Sequence, residues 1–209
     1  KLWTKGKDGN MNMDYIDVKG LQLVRRDNTP HMREVCKELL DVVLESSDTG
    51  PPKALALQRA IELIEGDVPN EKLILSQGLS DTYKSQNLSH VQVRNKMRER
   101  QPGSEPQSGD RVPYILLDTG DPKAKAYEKA EDPKYAKEHN LKVDYNYYFI
   151  NKFLNPVCDL IEPLFEDPKE EIFGELLTRV KPKRRPKKKT EADIEGQQKI
   201  SDMFKTLKK

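Results

Sequence analysis

The sequence predicts an α+β fold, mostly α-helical, ending in an extended basic tail. Three observations carry this. Apolar residues recur every three or four positions through Phe149, Phe153, Val157, Leu160 and Leu164, which is the period of a helix. The run RVPYILLD, residues 111–118, is the strongest β-forming stretch of the chain. Residues 179–189, RVKPKRRPKKK, hold eight basic side chains and no acidic one, so nothing from there onward can build a core.

The elements follow in chain order. Residues 1–18 are rich in Gly, Asn and Asp with isolated apolar positions and read as a hairpin or loop ending in a short strand. KGLQLV, residues 19–24, alternates polar and apolar side chains as an edge strand does. Thr29 suits an N-cap with Pro30 at the first helical position. Met32, Val35, Leu39 and Val42 then give one apolar helix face to about residue 46. Residues 46–52, SSDTGPP, are expected to break that helix with a loop. A second helix passes through Leu55, Leu57, Ala60, Ile61 and Ile64 and stops at Gly66. A short strand is expected at residues 72–76 and a third helix at 88–100. After the 111–118 strand come a charged helix around residues 124–130 and a turn at Asp132-Pro133. Asp144 suits the cap of the long periodic helix, which Pro156 either kinks or divides with Asn155 as a second cap. A last short helix is expected at residues 170–177. Residues beyond 179 should be extended and disordered.

Composition narrows the function classes. The chain has 209 residues, 35% hydrophobic and 34% charged, enough for one modest core plus appendages. No apolar run approaches the roughly 20 residues that span a bilayer, and no signal-peptide pattern opens the chain. The first residue is Lys rather than Met, as if the chain were cut from something longer. Cys36 and Cys158 read as reduced thiols of an intracellular protein, Cys36 as a buried inert one. Two cysteines cannot alone supply a four-ligand zinc site, and His31, His90 and His139 lack ligand spacing, so no metal site is expected. His90 reads as a packed or hydrogen-bonded side chain. Net charge is +2, yet without the eight cations of residues 179–189 the balance is 29 basic against 35 acidic residues, or −6. The folded part is therefore mildly acidic, and any hold on a polyanion must come from a local patch.

Three strings, in this order, carry a family signature: KGLQLVRRDN (residues 19–28), GDRVPYILL (109–117) preceded by SHVQVRNKMRERQPGS (89–104), and EDPKYAKEHNLKVDYNYYFINKFLNPVCDLIEPLF (131–165). They resemble the palm-to-thumb junction, a thumb segment and the closing thumb helices of family B DNA polymerases, the delta type above all. The resemblance covers about residues 1–165. It implies the end of the palm and the junction at 1–28 and a thumb at 29–180. A basic linker at 181–196 and a clamp-interacting peptide at 197–209 complete the division. The family's metal-binding DTD motif, fingers and exonuclease acids are absent and belong upstream. The resemblance therefore implies a DNA-directed DNA polymerase as the full chain, Mg2+ as its cofactor, and a fragment inactive alone. The cysteine-rich C-terminal domain of the cellular delta enzyme is also missing, which points to a large DNA virus or a divergent lineage.

A thumb holds many duplexes, so it should touch phosphates rather than read bases. Lys19, Arg25, Arg26, Asn28 and Arg111, the last beside a Gly109-Asp110 turn, are the candidate DNA contacts. Arg25 and Arg26 point to opposite sides of an extended segment, so one of them should face DNA and the other pair with Asp27. Lys96, Arg98 and Arg100 rank lower, because a solvated helix face explains them equally well. Tyr145, Tyr147 and Tyr148 suit core packing better than base stacking, and Tyr114 reads as core.

Gln197, Ile200, Met203 and Phe204 fit a clamp-binding pattern, because Ile200, Met203 and Phe204 share one side of a helical turn and can fill one hydrophobic pocket. Met203 stands where the pattern usually has an aromatic, so binding should be weaker. The partner would be a sliding clamp of the proliferating cell nuclear antigen type. Lys183, Arg184, Arg185, Lys187, Lys188 and Lys189 of the linker have two compatible readings, a phosphate tether and a nuclear import address. The alternative to a polymerase end piece is a non-enzymatic nuclear adaptor with a clamp-binding tail.

Overall fold

The computed structural model describes residues 2–5, 10–15, 28–121 and 123–180. The edge strand expected at 19–24 and the extended tail expected beyond 180 lie outside the described residues. At the start of the chain, β1 (Leu2–Lys5) and β2 (Met11–Tyr15) pair antiparallel, Trp3 opposite Met13 and Lys5 opposite Met11. Of the hairpin and the loop, the hairpin forms.

The helical layer is built on α1 (Pro30–Glu45) and α2 (Gly50–Glu65). Thr29 caps α1 as its sequence implies: its backbone is extended, and its Oγ1 accepts the Met32 N–H at 3.1 Å. Met32, Val35, Cys36 and Leu39 form the buried face. The break between the helices is shorter than expected, because Gly50, Pro51 and Pro52 belong to the first turn of α2. First-turn N–H groups have no partner within a helix, so proline loses nothing there. Ala56 and Ala60 let the two helices approach closely, and α2 ends at Gly66. Gly66 has φ +87°, and a Cβ there would sit 2.9 Å from the Tyr145 ring, so both backbone and packing require glycine.

A tight turn (Asn70–Leu73) then delivers the chain into β3 (Leu75–Gly78), three residues later than the expected strand, because Lys72 and Leu73 belong to the turn. α3 (Ser89–Arg100) lies over the sheet and buries His90, Val91 and Val93. β4 (Arg111–Leu116) pairs antiparallel with β3, Leu75 opposite Tyr114 and Gly78 opposite Arg111. After the short α4 (Ala126–Lys129), β5 (Ala130–Glu131) pairs with the far edge of β4, giving the order β3-β4-β5. Asp132-Pro133 is not a turn. Asp132 caps α5 (Pro133–Glu138), its Oδ2 accepting the Tyr135 N–H at 3.2 Å.

The long periodic stretch is one helical path. α6 (Tyr145–Tyr148) opens on the Asp144 cap, widens through Phe149–Phe153 and continues as α7 (Leu154–Ile161). Pro156 has no N–H for the carbonyl four residues back and its ring crowds that carbonyl. One wide turn, in which the Leu154 N–H reaches Phe149 O, accommodates this without ending the helix. Asn155 therefore caps nothing. The final helix α8 (Pro168–Val180) starts earlier and ends later than expected. Asp167 accepts from the Lys169 and Glu170 N–H groups at 3.1 Å each, and Glu171 accepts the Asp167 N–H in return at 2.9 Å. Phe149, Phe153 and Phe173 meet with centroids 5.9 to 6.1 Å apart at the centre of this layer.

Candidate nucleic-acid interface

Of the five expected DNA contacts, Asn28 and Arg111 fall within the described residues, whereas Lys19, Arg25 and Arg26 lie outside them. Asn28 is half-buried immediately before the α1 cap. Arg111 opens β4 on the exposed side. Its Nε donates to Ser76 Oγ at 3.0 Å and its Nη2 to Ser76 O at 2.6 Å, so the guanidinium is held across the β3–β4 pair. The turn before it is also fixed. Gly109 takes φ +90° and donates its N–H to Leu79 O at 3.0 Å, while Asp110 Oδ2 accepts the Gln107 N–H at 2.8 Å. A cation thus stands at a rigid strand start beside a left-handed glycine.

The cations of α3 divide. Arg100 forks onto both oxygens of Glu131, 2.9 Å each, and lies 3.4 Å above the Tyr135 ring. Lys96 donates to Ala130 O at 2.7 Å and approaches the same carboxylate at 3.4 Å. Burial pushes the Glu131 carboxyl up, but the Arg100 bond, the Asp132 N–H and the charge of Lys96 outweigh it and leave the group below its usual range. These two cations therefore hold α3 against β5. Arg98 stays exposed on the last turn, and Arg94 donates to Asn95 Oδ1 at 3.0 Å.

A second knot stands behind the sheet. Lys129, 5% exposed, donates to Asp144 Oδ2 at 2.6 Å, while Asp144 Oδ1 accepts the Tyr147 N–H at 2.9 Å. Asp144 thus serves as helix cap and counter-ion together. Tyr148 is buried, and its hydroxyl accepts the Leu116 N–H at 3.1 Å. Tyr145 and Tyr147 pack against the core, as does Tyr114, in agreement with the sequence. His90 Nε2 meets the Tyr83 hydroxyl at 3.0 Å in a packed pair. Burial pushes both cysteine thiols up to about 11, Cys36 behaving as a buried inert thiol. Among the described residues no group of three or more His, Cys, Asp or Glu side chains is arranged to hold a metal, and no helix is long and apolar enough to cross a membrane. Sequence reasoning misses Glu131, Lys129 and Ser76. Only the charge density around residues 128–132 hints at the first two.

The family model for DNA polymerase family B matches residues 3–164. The chain belongs to the family B DNA polymerases. It is 37% identical over 201 residues to the DNA polymerase of Paramecium bursaria Chlorella virus NY2A, an alignment covering 91% of this chain and 22% of that protein. Identity to the DNA polymerase delta catalytic subunit of Dictyostelium discoideum is 34% over 162 residues, covering 78% of this chain and 15% of that one. The family B polymerase of the hyperthermophilic archaeon Pyrobaculum calidifontis shares the fold, with a TM-score of 0.55 at 20% identity over 76% of this chain and 20% of that one. Against these relatives the family B polymerase chain spans about a fifth of the full length or less. Its kinship is delta-like, as the three strings imply.

Proposed function

We propose that this chain is the thumb end of a DNA-directed DNA polymerase. In this reading residues 1–28 close the palm, 29–180 form the thumb, 181–196 a basic linker and 197–209 a clamp-docking peptide. The observation that carries it is the family match over residues 3–164, which takes in GDRVPY as well as RRDN. A match of that extent favours the polymerase over the nuclear adaptor. Arg25 or Arg26, with Lys19, Asn28 and Arg111, neutralises phosphates of the primer–template duplex without reading bases. Glu131 and Asp144 position that surface by holding α3, β5 and α6 together. Nucleotidyl transfer takes place elsewhere in the full chain, and Mg2+ would serve there.

The tail acts by tethering. Gln197, Ile200, Met203 and Phe204 dock on a sliding clamp, so that rebinding to the primer end becomes intramolecular. The basic run adds attraction to DNA and serves as an import address to the nucleus. Two assays on the full-length enzyme test this. Ile200→Ala with Phe204→Ala should abolish clamp-stimulated synthesis and leave distributive synthesis intact; unchanged stimulation removes the docking peptide. Arg111→Ala should weaken primer–template binding to the same degree on unrelated duplex sequences. A loss confined to particular sequences would contradict phosphate contact.

A further inference from the structure

The stretch between β3 and α3 turns one side chain inward. Across residues 80–87 every side chain is exposed except Tyr83, which is half-buried against the core. Its hydroxyl gathers several groups at one point. It accepts the Ser80 N–H at 2.7 Å, donates to Gly78 O at 3.3 Å and meets His90 Nε2 at 3.0 Å. A phenol has a single proton to give. With that proton on Gly78 O, His90 donates from Nε2, and all of these contacts are made together. The opposite assignment puts the ring proton on Nδ1, which is buried without an acceptor among the described residues. Burial pulls the His90 imidazole below its usual range, so near neutral pH the ring is uncharged and carries its N–H on Nε2. The ring is 2% exposed on the first turn of α3 and stands edge-on to Tyr83, with centroids 5.4 Å apart.

Gly78 and Ser80, both bound by this hydroxyl, flank Leu79. Leu79 donates its N–H to Asp110 O at 2.8 Å and accepts the Gly109 N–H on its own O at 3.0 Å, while Gly78 stands opposite Arg111 in the sheet. The phenol therefore pins both neighbours of the residue on which the Gly109-Asp110 turn rests, and His90 ties the phenol to α3. We propose that Tyr83 and His90 are positioning residues for the grip on DNA: the pair locks Leu79 to α3 and so holds the Gly109-Asp110 turn and the Arg111 guanidinium in one place. Ser76 fixes the guanidinium along β3; the Tyr83–His90 latch fixes where the end of β3 lies. A cation held in place beforehand loses less freedom when a phosphate arrives, and that saving appears as affinity. The benefit to the duplex rests on the proposed phosphate contact of Arg111; the hold on the turn does not.

The test uses the full-length polymerase. Tyr83→Phe keeps the ring and removes the hydroxyl. Amide hydrogen exchange in peptides covering residues 78–80 and 107–111, read by mass spectrometry, should quicken roughly three- to tenfold, with exchange in α2 unchanged. The Kd for primer–template should rise about two- to fivefold in the otherwise wild-type enzyme and no further in Arg111→Ala, because Tyr83 acts through that cation. His90→Leu should match Tyr83→Phe, whereas His90→Gln, whose side-chain amide can donate to the hydroxyl, should recover most of the wild-type behaviour. Unchanged exchange in both peptides would overturn the proposal, as would exchange quickened equally in α2, or a Tyr83→Phe loss of the same size with and without Arg111. Quickened exchange at the turn, together with an Arg111→Ala variant that binds DNA normally, supports the latch while removing the Arg111 contact, which separates the two failures.

Discussion

The helical layer and the small sheet are held together by different means. In the helical layer Leu39, Leu63, Phe149, Phe153 and Phe173 are all sealed from solvent, and the contact is aromatic and aliphatic. At the sheet, the seams to α3 and α6 close on two ionic knots, Arg100 and Lys96 on Glu131, and Lys129 on Asp144. The first region resists by apolar burial, which is non-directional. The second fixes one arrangement by geometry, because a half-satisfied buried carboxylate is costly. The proposed thumb role needs both: a body that stays folded and a surface whose cations keep their places.

The largest expected effect comes from breaking the apolar side. Phe173→Ala should cost about 3–5 kcal/mol, seen as a lower urea midpoint of the chain, because Phe149 and Phe153 cannot collapse onto the void. Next, Asp144→Ala should cost about 2–4 kcal/mol, since it removes a cap and strands Lys129 in the interior. Lys129→Met should be milder, because Asp144 keeps its bond to the Tyr147 N–H. If the two variants lose equal stability, the double role of Asp144 is wrong.

Glu131→Gln sharpens the contrast through pH. The folded carboxyl sits below its usual range, so its contribution is complete above the unfolded value of about 4.3 and fades as pH falls through the folded one. Wild-type unfolding should therefore lose stability on the acid side, and the Gln variant, about 1–3 kcal/mol weaker at neutral pH, should show a flatter acid limb. Parallel limbs would mean that Arg100 and Lys96 contribute nothing through charge. The smallest effect is Thr29→Ala, about 1 kcal/mol for the missing cap bond, with the core unchanged by near-ultraviolet dichroism.

The same contrast explains what is legible in the chain. Periodicity exposes apolar faces, so α1, α2 and the long Phe149-to-Leu160 path are readable, as are the Thr29 cap and the Gly66 stop. Proline reads unevenly. Pro30 signals a helix start, yet Pro51-Pro52 and Asp132-Pro133 pass for breaks, and the pattern puts the start of α8 two residues after Pro168. One rule, that proline suits the first turn, covers all four sites. The ionic knots leave no such trace. Glu131 finds Arg100 across 31 residues and Lys129 finds Asp144 across 15, and no local spacing encodes either. Arg111 stands out through its string rather than its surroundings, and its anchor Ser76, 35 residues away, is invisible for the same reason.

The central claim is that this surface meets the sugar-phosphate backbone of the duplex. Its most direct test is the salt dependence of primer–template binding by the full-length enzyme, wild type against Arg25→Ala, Arg26→Ala and Arg111→Ala combined. The account predicts weaker binding and a log–log slope shallower by about one for each phosphate no longer neutralised. Lines that run parallel to the wild type, at unchanged affinity, would contradict it.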